Sequence, residues 1–437
     1  MKLNIKNFAK IKEADIVIDG ITVIAGENNT GKSTVGKVLF SLFNALSDID
    51  QKISEERLKE IEYTNRPIIA NYVGAFDLSR NVVNHLAISN AMRIKEKLCE
   101  YQDDGLNVPD EKIHRIVSEV IQGMKRILHG EEKYDWLELT AEVYQNTKEI
   151  MYLPEEVITK EFVSRYFNNV FHGQIQSLTN KELLETALAL DIKGKKTKLY
   201  FEKNNCKESK REMNITHKAI YIDNPFIVDE LSKNNRLDPM SEMLEKLLID
   251  SYKEDAMEGI IESVRAKKKL SEIFGMLQSV VGGEVSLDQN NEFYLKNDEC
   301  DEPISFHNLS TGMKSFVILK MLLEKGCLKN KDVVILDEPE IHLHPQWQIA
   351  YAELIVLLQK QFDLSVVVTT HSPYFVDALN LFSCKYGTDN KVNYYLSSNE
   401  GDAVTMQLVT DEIDLIYKKM ASPIQMLDTL RYELNNK

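Results

Sequence analysis

The sequence predicts an α/β fold in which both ends of the chain form one sheet-containing domain, split by a mainly helical insert. Residues 1–45 contain alternating strand-like segments, a buried apolar strand, a glycine loop and a helix. The last third alternates short apolar runs with helical segments, as α/β domains do. The middle is dominated by helical patterns rich in Lys and Glu. We therefore expect four segments: 1–45, the insert 46–185, a mixed junction 186–283, and 284–437.

The composition is that of an ordinary folded protein. The chain has 437 residues, of which 43% are hydrophobic and 28% charged, so it is long enough for a large core and for two lobes. Its formal net charge of -15 argues against a surface that wraps nucleic acid as a whole. A local basic patch could still bind nucleic acid, because phosphate contacts depend on local charge.

The cysteines and the apolar runs indicate the compartment. Five cysteines are scattered along the chain, and no two form a C-x-x-C pair that would suggest a zinc or redox site. Scattered thiols fit a reducing environment. No apolar run approaches the roughly 20 residues that span a membrane, and the N-terminus lacks the apolar core of a signal peptide. We expect a cytoplasmic protein without a membrane partner.

The periodicity of apolar residues predicts the elements on which the motifs lie. In the first two segments we expect a strand over 21–25 and helices over 33–43, 82–101, 111–128 and 135–151. In the junction we expect strands over 186–201 and 219–222, a helical stretch over 240–281, and a hairpin over 284–295 that turns at 290–291. In the last segment we expect helices over 311–325, 346–360 and 373–381, strands over 333–336 and 364–369, then a strand over 393–396 and a closing helix over 412–434.

The glycine loop matches the phosphate-binding pattern G-x-x-x-x-G-K-[ST] in full, between a strand and a helix. Such a loop turns backbone N–H groups towards phosphate oxygens at a helix N-terminus. Lys32 would contact the β- and γ-phosphates of ATP, and the Ser33 hydroxyl would bind Mg²⁺. Two asparagines stand where glycine is common, and Asn tolerates positive φ. The predicted nucleotide-binding residues here are Gly26, Asn28, Asn29, Thr30, Gly31, Lys32, Ser33 and Thr34.

Two carboxylates end the apolar strand at residues 333–336. Because ligands of α/β folds bind at the carboxyl ends of strands, Asp337 is expected to reach Mg²⁺ through water, and Glu338 to polarise the attacking water. The alternative is an acidic cap for the helix that begins near Pro345. The next strand ends at His371, whose imidazole could donate to the γ-phosphate and sense its loss.

Two further histidines precede that helix. His342 and His344 are spaced i, i+2, a spacing that could bind a metal, but no third ligand is evident. We therefore favour a role in shaping the loop.

A short segment at residues 308–315 precedes a predicted helix. Ser310 is placed as the N-cap, and Gly312 lies in the first turn. A helix N-terminus with a serine and a glycine is suited to bind an anion. Taken alone the pattern is weak, but it follows the phosphate loop and precedes the acidic strand and the histidine.

That order of motifs resembles an ABC-type ATPase head, and its details are similar to the RecF/SMC/OLD branch found in bacterial defence and toxin–antitoxin loci. The similar residues are Asn7 and Phe8, residues 309–313, 337–345 and 370–373, within 1–43 and 284–381. Thr311 and Met313 depart from the commoner signature, as does the loop 340–344.

The resemblance implies a homodimer in which Ser310 and Gly312 of one subunit close over an ATP held by Lys32 of the other; a higher oligomer stays open. It also implies a glutamine that senses Mg²⁺ and water, for which Gln174 is the candidate. Catalysis would then depend on Glu338, His371 and Lys32, and the metal site on Ser33, Asp337 and Gln174.

The function that the resemblance implies is an ATP-gated sensor or regulator with a separate effector, a nuclease or a toxin. We find no acidic constellation of the Toprim nuclease type after His371. The alternative is a DNA-repair clamp of the RecF kind, supported by basic runs at 193–198, 207–211 and 265–269. A transporter ATPase is disfavoured by the helical insert.

Overall fold

The structure is a computed structural model that describes residues 1–76, 78–102, 108–128, 135–177, 185–231, 238–253, 271–287, 292–296, 302–401 and 403–435. The chain divides into two compact units. The larger unit contains Met1–Ser47 and Phe162–Lys437, and the smaller, helical unit contains Asp48–Glu161. Among the described residues, no helix combines the length and the apolar character needed to cross a bilayer.

The helical unit forms because four helices bury apolar side chains against each other. These are α2 (Ile49–Val73), α3 (Arg80–Gln102), α4 (Asp110–Ile127) and α5 (Trp136–Met151). Their core includes Ile61, Ile69, Ala91, Leu98, Ile113, Val117 and Val143. The helices predicted over 82–101, 111–128 and 135–151 are therefore confirmed.

The larger unit is built on one mixed sheet. Within the described residues, its order is β6-β5-β4-β1-β2-β14-β13-β3-β12-β11-β7. The strands are β1 (Lys2–Phe8), β2 (Ile11–Val17), β3 (Ile21–Gly26), β4 (Thr186–Ile192), β5 (Lys195–Glu202), β6 (Asn205–Arg211), β7 (Ala219–Ile222), β11 (Val333–Asp337), β12 (Ser365–Thr370), β13 (Val392–Glu400) and β14 (Ala403–Leu408). The neighbours from β13 to β7 pair in parallel. The predicted α/β fold is confirmed.

Helices cover both faces of the parallel part of the sheet, because its strands are apolar on both faces. One core joins β3 residues such as Val23 to Phe316, Tyr351 and Phe375. These lie on α10 (Thr311–Glu324), α11 (Pro345–Phe362) and α12 (Pro373–Tyr386). The other core joins Ile24 to α1 (Lys32–Leu46) and α6 (Glu155–Phe171).

The remaining elements show where pattern and structure differ. The helical stretch expected over 240–281 contains α8 (Pro239–Lys253) and α9 (Ser271–Val280), following the short α7 (Ile227–Glu230); residues 254–270 lie outside the described residues. The hairpin is present as β8 (Glu284–Leu287) and β9 (Phe293–Lys296), joined by an unexpected β10 (Ile304–Ser305). Its expected turn at 290–291 lies outside the described residues.

The C-terminal tail and the insert boundary also differ from expectation. Strand β14 was not expected, and the closing helix is divided into α13 (Asp414–Met420) and α14 (Ser422–Asn435). The helical unit ends at Glu161, whereas the expected insert extends to residue 185. The reason is that Phe167 and Val170 of α6 pack in the core of the larger unit, with Phe8.

The register of the parallel strands determines what meets at their carboxyl edge. Asp337 of β11 is paired with Thr369 of β12, Ala25 of β3 with Thr370, and Gly26 with Ser397 of β13. The ends of β3, β11 and β12 therefore lie side by side, with Ser397 of β13 next to Gly26. This edge of the sheet is where the predicted site residues converge.

Candidate functional site

The phosphate loop connects β3 to α1. Asn29 and Gly31 adopt positive φ values of 63° and 71°, which bring the chain into the helix; Asn28 does not have positive φ. Lys32 is only 4% exposed. Its Nζ donates to the carbonyl oxygens of Gly26 at 3.1 Å and Glu27 at 2.8 Å. The ammonium group is thus folded back into the loop that would receive phosphates.

A serine on β13 braces this loop. The hydroxyls of Thr30 and Ser397 lie 2.6 Å apart, and Ser397 Oγ donates to the carbonyl of Ala25 at 3.2 Å. A Cβ on Gly26 would lie 2.2 Å from Ser397 Oγ, so only glycine fits there. Ser397 was not among the predicted site residues, because its role depends on the pairing of β13 with β3.

Asp337 accepts hydrogen bonds from three hydroxyls. Ser33 Oγ donates to its Oδ1 at 2.9 Å and Tyr221 OH to its Oδ2 at 2.6 Å, and Thr369 Oγ1 also donates to Oδ1. Burial, and then the charge of Asp337, raise the pKa of Tyr221 well above its usual value, so the phenol stays a donor. The hydroxyl of Ser33 and the carboxylate of Asp337 are hard oxygen donors in contact, a set that fits Mg²⁺.

Glu338 follows in a left-handed backbone conformation, with φ 50°. Its N–H donates to the carbonyl and the hydroxyl of Thr369, at 3.0 and 3.1 Å, which holds this unusual conformation. The carboxylate lies 3.5 Å from Lys32 Nζ and 3.6 Å from His371 Nδ1. Glu338 is therefore turned towards the phosphate loop rather than towards the following helix.

A cavity of about 390 Å³ lies above the loop. Its described lining contains three lysines (Lys10, Lys32 and Lys37) and one carboxylate, that of Glu338. This balance favours an anionic ligand. The other lining residues are Ala9, Asn29, Thr30, Gly31, Ser33, Thr34, Val170, Phe171, His172 and Gln174. The cavity thus brings Gln174, Ser33, Lys32 and Glu338 together, as the predicted roles require.

His371, which follows β12, is held by a carboxylate that was not among the predicted site residues. Glu340 is 2% exposed, and its Oε1 accepts the backbone N–H of His371 at 3.0 Å. The hydroxyl of Thr370 donates to the same oxygen. Burial raises the pKa of Glu340, and the hydrogen bonds from Thr370 and His371 oppose that rise. The pattern of acidic residues at 337–340 could have indicated it, but not its partners.

A protein-family comparison decides the family. The model described as "AAA ATPase domain" matches residues 1–376. The chain belongs to this AAA ATPase domain family.

Curated relatives of this AAA ATPase match over shorter segments. The Septu protein PtuA of Bacillus thuringiensis is 30% identical over 25% of this chain and 30% of its own length. The Retron Ec83 probable ATPase of Escherichia coli is 28% identical over 38% and 33%. An OLD nuclease of Thermus scotoductus is 30% identical over 20% and 17%. The chain therefore spans a third or less of these relatives, and the resemblance to the OLD branch is confirmed.

Among solved structures, the AAA ATPase matches the SMC head domain from Thermotoga maritima with a TM-score of 0.38 and 10% identity. The match covers 93% of this chain and 98% of that chain.

The signature segment of this AAA ATPase does not line the described cavity. Ser310 is exposed and caps α10, where its Oγ accepts the N–H of Met313 at 3.4 Å. A Cβ on Gly312 would lie 2.9 Å from the Trp347 ring and 3.1 Å from the carbonyl of His342. Gly312 is therefore needed for close packing of the helix against the loop 340–344.

His342 and His344 of the AAA ATPase make contacts that hold the loop 340–344 in place. His344 caps α11, since its Nδ1 accepts the N–H of Gln346 at 3.4 Å. The His342 ring lies edge-on to Phe226, with centroids 5.6 Å apart. The described residues contain no group of three His, Cys, Asp or Glu residues that could hold a metal.

Proposed function

We propose that this chain binds MgATP in the cavity above the phosphate loop and hydrolyses it to ADP and phosphate. The observation that supports this proposal most is the hydrogen bond from Ser33 to Asp337. In addition, Lys32 Nζ lies 3.5 Å from the carboxylate of Glu338. Triphosphate hydrolysis needs this set: a cation for the phosphates, oxygen ligands for Mg²⁺, and a carboxylate beside the attacking water.

Each residue has a distinct task in this proposal. Residues 26–34 would hold the phosphates with backbone N–H groups and with Lys32. Ser33, Gln174 and, through water, Asp337 would hold Mg²⁺, which would neutralise phosphate charge. Glu338 accepts a proton from the water that attacks the γ-phosphorus, and the bond from that phosphorus to the bridging oxygen of ADP breaks. His371 donates to the γ-phosphate.

We further propose that two copies of the chain close head to tail on two ATP molecules. Ser310 is exposed at the N-terminus of α10, a helix of 14 residues. It does not line the cavity of its own chain. An anion site of this kind is available to a nucleotide held by a second copy. The ABC-type resemblance supports that pairing, and a still higher oligomer is left open.

For the biological role we propose a sensor or regulator of bacterial antiphage defence, or of a toxin–antitoxin system, that acts through a separate nuclease or toxin. Partial matches to proteins named Septu protein PtuA and Retron Ec83 probable ATPase support this assignment. ATP binding would shift the dimer between two states, and hydrolysis would reset it.

The DNA-clamp alternative has weaker support. The run at 193–198 lies on the turn between β4 and β5 and on β5, and the run at 207–211 lies on β6. Lys207 pairs with Glu202, and Lys210 pairs with Glu208 at 2.7 Å. These pairs reduce the local positive charge that phosphate binding needs. The run at 265–269 lies outside the described residues.

The test is Glu338→Gln, which keeps the shape and removes the base. We expect ATP affinity to be retained, kcat to fall by about 10²–10⁴-fold, and an ATP-dependent dimer to accumulate in light scattering after size exclusion. The matched control is Glu353→Gln, since Glu353 accepts hydrogen bonds from Lys385 and Tyr386 away from the site. Rapid turnover by Glu338→Gln would reject Glu338 as the base, and a monomer with bound ATP would reject the dimer.

A further inference from the structure

Glu340 is a buried carboxylate that the proposed reaction does not yet use. Its Oε1 accepts hydrogen bonds from Thr370 and from the backbone of His371. Its Oε2 is buried with no hydrogen-bond partner among the described residues. A carboxylate that is buried and only half satisfied destabilises a fold relative to an apolar side chain of the same size. Its presence therefore points to a role other than stability.

The backbone of this region is already tied together without that carboxylate. Gln348 Nε2 donates to the carbonyls of Glu340 at 3.4 Å and Leu343 at 3.1 Å. Its Oε1 accepts the hydroxyl of Ser372 at 2.9 Å. Gln348 thus links the loop after Glu338 to the turn after His371. The side-chain carboxylate of Glu340 adds polar contacts to Thr370 and His371.

The imidazole of His371 lies between two carboxylates. Its Nδ1 is 3.6 Å from Glu338 Oε2 and 3.6 Å from Glu340 Oε1. The His371 side chain is 44% exposed, so few packing contacts restrict its ring. An exposed ring keeps rotamer freedom unless polar contacts restrict it. Glu340 is the buried and therefore the less mobile of its two neighbours.

We propose that Glu340 is a positioning residue that holds the backbone and the ring of His371 beside Glu338, so that His371 acts on the same phosphate as the base. This inference rests on the proposed ATPase function, because it assigns Glu340 to the same site. Glu340 itself does not line the described cavity, so it acts through His371 and not by contact with the nucleotide.

A double-mutant cycle tests whether Glu340 acts through His371. We expect Glu340→Ala to lower kcat by about 10- to 100-fold, since small misplacements of catalytic groups have effects of this size. ATP affinity should change by less than about threefold. In a His371→Ala background, Glu340→Ala should lower kcat by no more than about twofold further, because the two residues form one unit. A loss equal to the product of the two single losses would overturn the proposal.

Three further variants separate positioning from folding. Glu340→Gln keeps an acceptor oxygen and should restore most of the kcat lost in Glu340→Ala. Glu340→Leu fills the buried volume without an acceptor, so it replaces Glu340→Ala in the cycle if the latter does not fold. Glu62→Ala removes another buried carboxylate, which pairs with Lys95 in the helical unit, and should leave kcat unchanged. Equal kcat for wild type and Glu340→Leu would also overturn the proposal.

An NMR measurement keeps this proposal separate from the proposed function. In protein labelled with ¹³C-histidine, Glu340→Ala should shift the ring resonance of His371, while that of His307, which lies beside Asp229, should not move. If wild type hydrolyses no ATP, the proposed function fails, yet the His371 resonance still reports the contact. If the protein is active and the His371 resonance does not move, the positioning role of Glu340 is rejected and the proposed function is not.

Discussion

The ion-pair cluster around Glu62 in the helical unit and the charged groups around the cavity are arranged in different ways. In the helical unit, Lys95 Nζ lies 2.7 Å from Glu62, and Arg66 binds the same carboxylate. Around the cavity, Lys32 Nζ lies 3.5 Å from Glu338, and His371 lies 3.6 Å from two carboxylates. Charges in the first region neutralise each other at short range, whereas those in the second are close but incompletely paired.

This difference separates charges that serve the fold from charges available to a ligand. A short ion pair satisfies both partners and contributes modestly to stability. Groups kept 3.5 Å apart beside a cavity retain hydrogen-bonding capacity, which phosphates, Mg²⁺ and water can take up. The same substitution should therefore have different consequences in the Glu62 cluster and beside the cavity.

The largest difference is expected for removal of a lysine. Lys32→Ala should lower ATP affinity by at least about 100-fold, since a charge-assisted contact to phosphate is lost and nothing else occupies the ammonium position. Lys95→Ala in the helical unit should leave ATP affinity unchanged and lower the unfolding free energy by about 1 kcal/mol or less. Isothermal titration calorimetry measures the first quantity and urea unfolding the second. Full ATP affinity in Lys32→Ala would remove the phosphate-binding role of the loop.

An intermediate effect is expected for one hydroxyl at Asp337. Tyr221→Phe removes the bond to Asp337 Oδ2 and keeps the ring packed. It should raise the Mg²⁺ concentration for half-maximal ATPase activity about fivefold, as expected for a bond worth about 1 kcal/mol. Tyr395→Phe is the control, because the hydroxyl of buried Tyr395 accepts the N–H of Val17, whereas that of Tyr221 donates to Asp337. Equal Mg²⁺ dependence of the two variants would contradict a role for Tyr221 at the metal site.

The smallest expected effect is a pH dependence of the free energy of unfolding that has opposite signs for two buried carboxylates. The hydrogen bond from Lys95 lowers the pKa of Glu62, so the ionised form of Glu62 stabilises the fold above pH 4.5. This stabilisation is lost as the pH falls through the lowered pKa. Burial raises the pKa of Glu340, so its stabilising contribution is present below pH 4.5 and lost as pH rises through the raised pKa.

Glu62→Gln should therefore lower the melting temperature at pH 8, and this difference should shrink in acid. Glu340→Gln should raise the melting temperature at pH 8 relative to wild type, and the difference between this variant and wild type should also shrink in acid. Thermal unfolding of both variants between pH 4 and pH 8 measures the two trends. The same sign at pH 8 would show that the two carboxylates are in equivalent environments.

Local sequence was enough to predict much of the site. The strand before Gly26, the helix after Lys32 and the apolar run before Asp337 depend on neighbouring residues, so their patterns predict them. Gln174 was the hardest of these predictions, since a single glutamine has no pattern of its own. It does line the cavity with Lys32, although its role stays a prediction.

Ser397, Thr369, Tyr221 and Glu340 could not be predicted in this way. Each forms a hydrogen bond with a group that is distant in sequence. Ser397 bonds with Thr30, Thr369 and Tyr221 bond with Asp337, and Glu340 bonds with His371. These contacts exist because β13, β3, β12, β11 and β7 pair in parallel with one particular register. A shift of one residue would turn the strand residues Ser397, Thr369 and Tyr221 to the opposite face of the sheet, whereas Glu340 lies in the turn after β11.

The sequence by itself therefore determined the kinds of groups present and the local backbone that presents them: a phosphate loop, an acidic strand end and a histidine. Only the tertiary structure decided which groups touch, how far Lys32 lies from Glu338, and that Glu340 is buried against His371. The physical reason is that helix and turn formation depend on interactions within a few residues, whereas strand register and burial depend on the packing of the whole unit.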